Sequence, residues 1–201
     1  DSRLLRGGPD VRFGSYFLTS AKFNTDKAKR MMFMLKYEGD HNFEGNRFNT
    51  ISPSLTFRLG NHVYLSGQLD YAWNTDEMQY VATTSPLSSS SLAPYYYVMG
   101  HMDQKTYGLT LKLQVNVTPD ISIQFYGAPF TSIAKYDDFK LAADTKSHTF
   151  ENRFQRIDPD QLTYADGVYT IGEGAGQMPF RNPDFRFNEF RSNLVARWEY
   201  L

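Results

Sequence analysis

Apolar and polar side chains alternate with a period of two along this chain, for about ten residues at a time, and this pattern constrains the fold most. It is clearest in ISPSLTFRLGNHVYLSGQLDYAW, residues 51–73, where odd-numbered positions are mostly apolar and even-numbered positions mostly polar. Successive side chains of a β-strand point to opposite faces of the sheet. The stretch therefore predicts two antiparallel strands, each with an apolar and a polar face, joined by a turn at Gly60 and Asn61.

The same alternation recurs along the chain and predicts seven strands. They cover residues 11–24, 28–38, 48–59, 62–74, 104–117, 121–136 and 189–201. Helical spacing fails in these segments, and Phe, Tyr, Thr and Val, which favour strands, are common in them. The predicted fold class is therefore all-β, with consecutive strands antiparallel.

The predicted connections alternate between short and long. The short ones are residues 24–27, 60–61 and 118–120, and the long ones are residues 39–46, 75–103 and 137–188. Because consecutive strands are antiparallel, every short turn falls at one end of the sheet and every long loop at the other. Outer-membrane β-barrels show this asymmetry, with short periplasmic turns and long external loops, and their strands have about 9–11 residues. The pattern predicts an antiparallel up-and-down transmembrane β-barrel with the long loops external.

The two faces of these strands carry different side chains, as expected for a wall between lipid and water. The candidates for the lumen side are Arg12, Lys22, Arg30, Lys36, Arg58, Asp70, Lys112, Arg191 and Arg197. The candidates for the lipid side are Phe33, Leu35, Leu55, Phe57, Leu65, Leu69, Leu109, Leu111, Leu113 and Trp198. A Lys or Arg on the lipid side costs roughly 2–4 kcal/mol at the bilayer midplane. With Glu38 and Glu199, the predicted lumen has eight basic and three acidic residues, which favours anionic or polar solutes.

A soluble β-sandwich or lipocalin-like barrel is the alternative fold, with the apolar face turned inward. Such folds have shorter strands, and their long connections do not all fall at one end. Seven strands is an odd number, whereas bacterial single-chain barrels have an even number. We therefore expect further strands before residue 1 or after residue 201, so that the chain forms part of a larger barrel.

Several stretches resemble a family of Gram-negative outer-membrane proteins. They are LLRGGPDVR at 4–12, residues 51–81, residues 102–140 and, most specifically, NPDFRFNEFRSNLVARWEY at 182–200. Members of that family join an N-terminal β-sandwich, similar to family 9 carbohydrate-binding modules, to a large C-terminal domain of unknown function interpreted as a barrel. The resemblance implies that this chain is the C-terminal part of that barrel. It implies no reaction, and no site residue can be carried over from it.

No pattern in the sequence indicates a catalytic, cofactor or metal site. The chain lacks cysteine, and its four histidines form no HExxH arrangement. The cluster YEGDHNFEGN at 37–46 has oxygen ligands suited to calcium, but a solvated loop is the simpler interpretation, and we interpret Asp158, Asp160 and Asp166 in the same way. IGEGAG at 171–176 lacks the strand-to-helix context of a nucleotide site. SPLSSSSLAP at 85–94 is predicted to be a flexible loop tip.

The loop at 137–188 is too long for a simple connection, and loops of that size are usually functional or disordered. Its aromatic content argues against disorder. The rings are Phe139, Phe150, Phe154, Tyr164, Tyr169 and Phe180. Interior packing explains these rings better than sugar stacking, and the loop could cap the mouth of the barrel or constrict its lumen.

These observations predict an outer-membrane β-barrel protein with a role in surface binding, passage or assembly and no catalysis. The expected partners are outer-membrane lipid and lipopolysaccharide, with glycans and other outer-membrane proteins as further candidates. Alternatives are a membrane anchor for a surface glycan-binding protein and a subunit of a larger outer-membrane complex. An outer-membrane hydrolase is less well supported. The net charge of −1 gives no reason to expect nucleic-acid binding.

Overall fold

The computed structural model describes residues 4–60, 62–87 and 94–200, and the regular secondary structure of these residues is almost all β-strand. The strands are β1 (Tyr16–Asn24), β2 (Met31–Asn42), β3 (Arg47–Leu59), β4 (Val63–Thr84), β5 (Tyr96–Thr118), β6 (Ile121–Ala142), β7 (Phe154–Arg156), β8 (Leu162–Ala165), β9 (Val168–Ile171), β10 (Met178–Arg181) and β11 (Phe185–Trp198). Three short 3₁₀ turns cover Glu151–Arg153, Pro159–Gln161 and Gly174–Gly176. Asn61 of the predicted turn and residues 88–93 of the serine-rich tip lie outside the described residues.

Seven long strands form one large antiparallel sheet in the order β1-β2-β3-β4-β5-β6-β11, and β7 extends it by pairing with the end of β6. The predicted all-β class and the antiparallel order of the seven strands are confirmed. The sheet is open within the described residues, since the path ends at β1 and β11 and these two strands do not pair with each other. Among the same residues, no helix is long and apolar enough to cross a bilayer.

Several strands run further than the alternation indicates. β4 continues to Thr84 and β5 begins at Tyr96, so most of the loop predicted at 75–103 is strand. The period of two fails there because the pairing shifts at bulges between Asp76 and Gln79 and between Tyr80 and Ala82. The predicted loop at 39–46 shrinks to residues 43–46.

Other predicted boundaries also move. β1 begins at Tyr16 and not at residue 11, and β6 extends to Ala142. The last strand runs from Phe185 to Trp198, whereas 189–201 was predicted, because its pairing with β6 starts opposite Ala134.

The segment predicted as one long loop at 137–188 contains a second sheet. Strands β8, β9 and β10 form it in the order β10-β9-β8. Its buried residues Ile171 and Phe180 pack with Val98, Phe139 and Leu141 of the large sheet. The rings of Phe139 and Phe180 therefore have an interior role, whereas that of Tyr164 is exposed.

A second hydrophobic cluster lies at the same end of the large sheet, on its other face. Leu5 and Val11, from the segment before β1, are fully buried there with Met78, Met99 and Phe154. β5 alternates regularly, so Met99 and the neighbouring Val98 point to opposite sides. The N-terminal segment and the small sheet therefore cover opposite faces of the large sheet beyond its central part.

Candidate functional site: the two faces of the large sheet

Register pairing brings all ten lipid-side candidates to one face of the large sheet. Residues directly opposite each other in an antiparallel pair share a face, and Phe57 lies opposite Leu65, which lies opposite Leu113. Phe33 pairs with Leu55, Leu69 with Leu109, and Trp198 with Ile121, while Leu35 and Leu111 follow by alternation. We call this face of β1–β6 and β11 the apolar band.

The apolar band is exposed along much of its length. Leu65, Leu69 and Trp198 have relative exposures of 43%, 46% and 72%. Monomeric soluble proteins rarely expose contiguous apolar patches larger than a few hundred Å². The apolar band, in contrast, continues across neighbouring strands. An apolar face of this extent requires an apolar partner.

Stacked aromatic rings mark the edge of the apolar band on the side of the longer connections. The ring of Tyr71 lies 5.3 Å from that of Trp73 and 4.9 Å from that of Tyr107, centroid to centroid. We call these three side chains the aromatic ladder. At about 3.3 Å per residue, the stretch from Val63 to Trp73 is about 33 Å long. At the strand tilt of about 40° found in outer-membrane barrels, this length would rise by about 25 Å, the height of their apolar belt.

The opposite face, which we call the polar face, holds a hydrogen-bonded network of short polar side chains. Ser52 Oγ donates to Asp70 Oδ1 at 2.6 Å, and Gln68 Nε2 donates to both carboxylate oxygens of Asp70. Gln104 Nε2 donates to Ser132 Oγ at 2.9 Å. These bonds satisfy polar groups that are partly or fully buried, which fixes the side chains in place.

The basic candidates on the polar face are partly neutralised by neighbouring carboxylates. Three pairs do this: Lys36–Glu38 at 2.7 Å, Arg191–Glu189 at 2.8 Å and Arg197–Glu199 at 3.9 Å. Among the described residues, Lys22, Arg58 and Lys112 form no ion pair, although Arg58 Nη1 donates to the carbonyl oxygen of Lys27. Glu38 and Glu199 are already among the three acidic residues of the sequence count, so Glu189 is the carboxylate that lowers the positive surplus below that count.

Two of the lumen-side candidates lie outside the strands. Arg12 precedes β1, and its guanidinium contacts His148 at 3.2 Å. Arg30 lies in the connection between β1 and β2, where its carbonyl oxygen accepts from the backbone N–H of Arg58. The structure thus gathers Lys22, Lys36, Arg58, Asp70, Lys112, Arg191 and Arg197 on one face. Arg30 lies next to Arg58 just before β2, and Arg12 lies before β1.

The polar cluster at 37–46 serves internal contacts. Asn42 Oδ1 accepts from the backbone N–H groups of Glu44 and Asn46, both at 2.9 Å. The carboxylate of Glu44 accepts from the backbone N–H of Gly14 and forms a 2.8 Å ion pair with Arg153. In the described part of the chain, no group of three or more His, Cys, Asp or Glu side chains is positioned to hold a metal ion.

The pKa of one carboxyl on the polar face, that of Asp76, is raised. Asp76 lies beyond Trp73 along β4, outside the apolar band, and its register partner is Met102. Burial raises the pKa of Asp76, while its bond from the backbone N–H of Met78 and the charges of Lys140 and His101 oppose the rise. As the pH falls, Asp76 therefore takes up a proton before an ordinary aspartate does, and this end of the polar face loses one negative charge.

Comparison with known proteins identifies a family and nothing closer. No curated protein and no solved structure matches the chain significantly. The sequence profile of a family described as a domain of unknown function, DUF5916, matches residues 6–200. This match covers the large sheet, the small sheet and most of the N-terminal segment. The chain therefore belongs to the DUF5916 family.

Proposed function

We propose that this domain forms part of the wall of an outer-membrane β-barrel, with its apolar band in contact with lipid and its polar face toward an aqueous interior. Its role is to hold or pass polar and anionic solutes and not to catalyse a reaction. One observation carries the proposal. The register places every lipid-side candidate on one face and the hydrogen-bonded polar network on the other.

The composition of the two faces favours a bilayer over a protein core. A soluble sandwich buries its apolar face, whereas Leu65 and Leu69 of this sheet are exposed. The aromatic ladder at the edge of the band suits an interface with water, where amphipathic rings concentrate in outer-membrane barrels. At the strand tilt of such barrels, a rise of about 25 Å matches the height of their apolar band.

The polar face suits an aqueous interior for a different reason. Lys22, Arg58 and Lys112 have no ion-pair partner among the described residues, and uncompensated ammonium or guanidinium groups need water nearby. A water-filled lumen supplies it. Because the net excess on this face is basic, anions and neutral polar solutes are the expected occupants.

The proposal predicts opposite effects of the same charge on adjacent positions of β4. Leu65→Lys and Leu69→Lys put an ammonium on the apolar band and should block membrane assembly, since each costs roughly 2–4 kcal/mol near the midplane. Ser66→Lys and Gln68→Lys put the same charge on the polar face and should assemble normally. The measurement is the heat-modified gel shift and protease resistance of the protein in outer-membrane fractions or folded into lipid vesicles.

Normal assembly of both leucine variants would overturn the proposal and return the apolar band to the role of a protein core. Failure of all four variants would also count against it, because the polar face would then not border water.

A further inference from the structure

Four basic side chains follow the aromatic ladder on the same side of the sheet. They are Arg47, Lys105, Lys135 and Arg186, from β3, β5, β6 and β11. Lys105 lies opposite Trp73. Ile133 lies opposite both Lys105 and Arg186, so these two basic residues share a face of the sheet. All four side chains are exposed. We call them the cationic ledge.

The charges of the cationic ledge have no partners within the described residues, where none of the four forms an ion pair. Two carboxylates, Asp103 and Asp137, lie on the same wall as Lys105 and Lys135, and Asp103 is the register partner of Lys135. Asp103 accepts from Thr75 Oγ1 at 2.9 Å, and Glu77 lies 3.1 Å from His101 Nδ1 and 3.9 Å from Lys140 Nζ. An anion from outside the protein can therefore meet these cations.

The ledge opens onto two adjoining concavities. A cavity of about 530 Å³ is lined by Trp73, Lys105, Tyr107, Ile133 and Lys135, with His101, Asp103 and Asp137 also on its wall. A groove of about 490 Å³ is lined by Leu69, Tyr107, Leu109, Pro129 and Phe190 of the apolar band, with Thr131, Asn188 and Glu189 also on its wall. Tyr107 lines both, so the two concavities lie on either side of its ring.

Pro129 explains why the groove forms at this place. Proline has no backbone N–H to donate to a neighbouring strand, and the pairing of β5 with β6 is interrupted between Gly108–Phe130 and Leu111–Gly127. Leu109 and Leu69 form the wall beside this gap. The groove is thus a consequence of the sequence and not of chance side-chain packing.

We infer that the ledge and groove form a binding site for a phosphate-bearing membrane lipid, an inference that rests on the proposed function. The phosphate lies at Lys105 and Lys135, with Arg186 and Arg47 adding long-range attraction, and an acyl chain fills the groove beside Leu69 and Leu109. The four cations of the ledge outnumber the two carboxylates on the same wall, Asp103 and Asp137, so the net charge favours an anion. The apolar groove favours an amphiphile over a free phosphate. The aromatic ladder between them suits the junction of headgroup and chain.

Quenching of Trp73 fluorescence by lipids with brominated acyl chains tests the site. The chain has two tryptophans, so a Trp198→Phe background leaves Trp73 as the reporter. Brominated phosphatidylglycerol should quench at lower concentration than brominated phosphatidylcholine. The double variant Lys105→Gln, Lys135→Gln should lose this preference by roughly 25-fold, about fivefold for each cation removed from an anionic bilayer surface.

The double variant Lys22→Gln, Lys112→Gln is the matched control, because it removes the same charge from the polar face. It should keep the preference for phosphatidylglycerol. An equal loss in both double variants, or equal quenching by both lipids in the parent, would overturn the inference while leaving lipid contact by the apolar band intact. Absence of quenching by either lipid would overturn the proposed function together with it.

Discussion

The guanidinium of Arg153 joins three segments that are far apart in the chain. It donates to the carbonyl oxygens of Ser147 and Arg12, each at 2.8 Å, and forms a 2.8 Å ion pair with Glu44. Its side chain is only 1% exposed. A buried guanidinium needs several acceptors in fixed directions, and its planar fork supplies the matching donors. The group adds polar contacts to the buried Leu5 and Val11 in holding the N-terminal segment to the sheet.

Removing this group should destabilise the fold strongly. Arg153→Met leaves Glu44 Oε1 and the carbonyl oxygens of Ser147 and Arg12 without the donor that they have in the parent. The loss of one partner of a buried ion pair lowers the free energy of unfolding by about 3–5 kcal/mol. Urea-induced unfolding of the protein in detergent micelles measures this loss of stability. The stability of Arg153→Lys should lie between those of the parent and Arg153→Met, because lysine cannot reach all three acceptors.

Arg156→Met is the control, since that side chain is 81% exposed and lies 3.8 Å from Asp138. Its loss should change the free energy of unfolding by at most about 1 kcal/mol. Equal effects of Arg153→Met and Arg156→Met would contradict the role assigned to Arg153. The sequence could not have identified this residue, because Glu44 and Arg12 lie 109 and 141 positions away from it.

At the scale of the secondary-structure elements, alternation locates the strands well where the sheet is regular. β3 was predicted at 48–59 and runs from Arg47 to Leu59, because its two faces meet different surroundings along its whole length. Alternation fails beyond Thr75 on β4, where bulges shift the faces and clusters cover both sides of the sheet. A strand buried on both sides has no polar face to reveal it.

The small sheet has a local sequence signal in its turn residues that alternation does not capture. Asp166 and Gly167 both have positive φ values, +50° and +78°, as the two-residue type I′ turn requires. Asp-Gly between TYA and VYT is a strong hairpin signal. β8 and β9 pair on either side of it, with Ala165 opposite Val168.

Removal of the Phe180 ring should destabilise the small sheet. Phe180 is 5% exposed, and its ring centroid lies 5.1 Å from that of Phe139 and 5.4 Å from that of Tyr169. Phe180→Ala should lower the stability of this region by about 3–5 kcal/mol. Hydrogen exchange should then speed up in residues 162–181 while β3 and β4 keep their protection.

Thr163→Ala, at an exposed position of β8, is the control and should leave the exchange rates near those of the parent. Faster exchange spread over the whole large sheet in Phe180→Ala would contradict an independent small sheet, because the two would then unfold as one cooperative unit.

At the scale of the whole molecule, charge on the polar face should set ion selectivity. Pairs such as Lys36–Glu38 cancel locally, so the unpaired Lys112 and Arg58 carry much of the effect. The complete protein in a planar bilayer should prefer anions, and Lys112→Glu with Arg58→Glu should shift the reversal potential toward cations. Lys105→Glu, on the opposite face, should leave it unchanged.

Cation selectivity of the parent, or the absence of any conductance, would contradict this prediction. The sequence count of eight basic against three acidic residues overstates the preference, because it cannot show which charges are neighbours. It also includes Arg12 and Arg30, which the structure places outside the strands. Face and strand order could be predicted from alternation, whereas ion pairs, bulges and the packed loop depend on contacts between distant residues.

The strand order of the large sheet imposes a parity rule on any ring that contains it. Six antiparallel steps lead from β1 to β11, so these two border strands run in the same direction. If they met directly, the seam would be parallel, as would a seam with a second copy inserted in the same orientation. A ring that is antiparallel throughout needs an odd number of additional strands between β1 and β11, whichever polypeptide contributes them, and its total is then even.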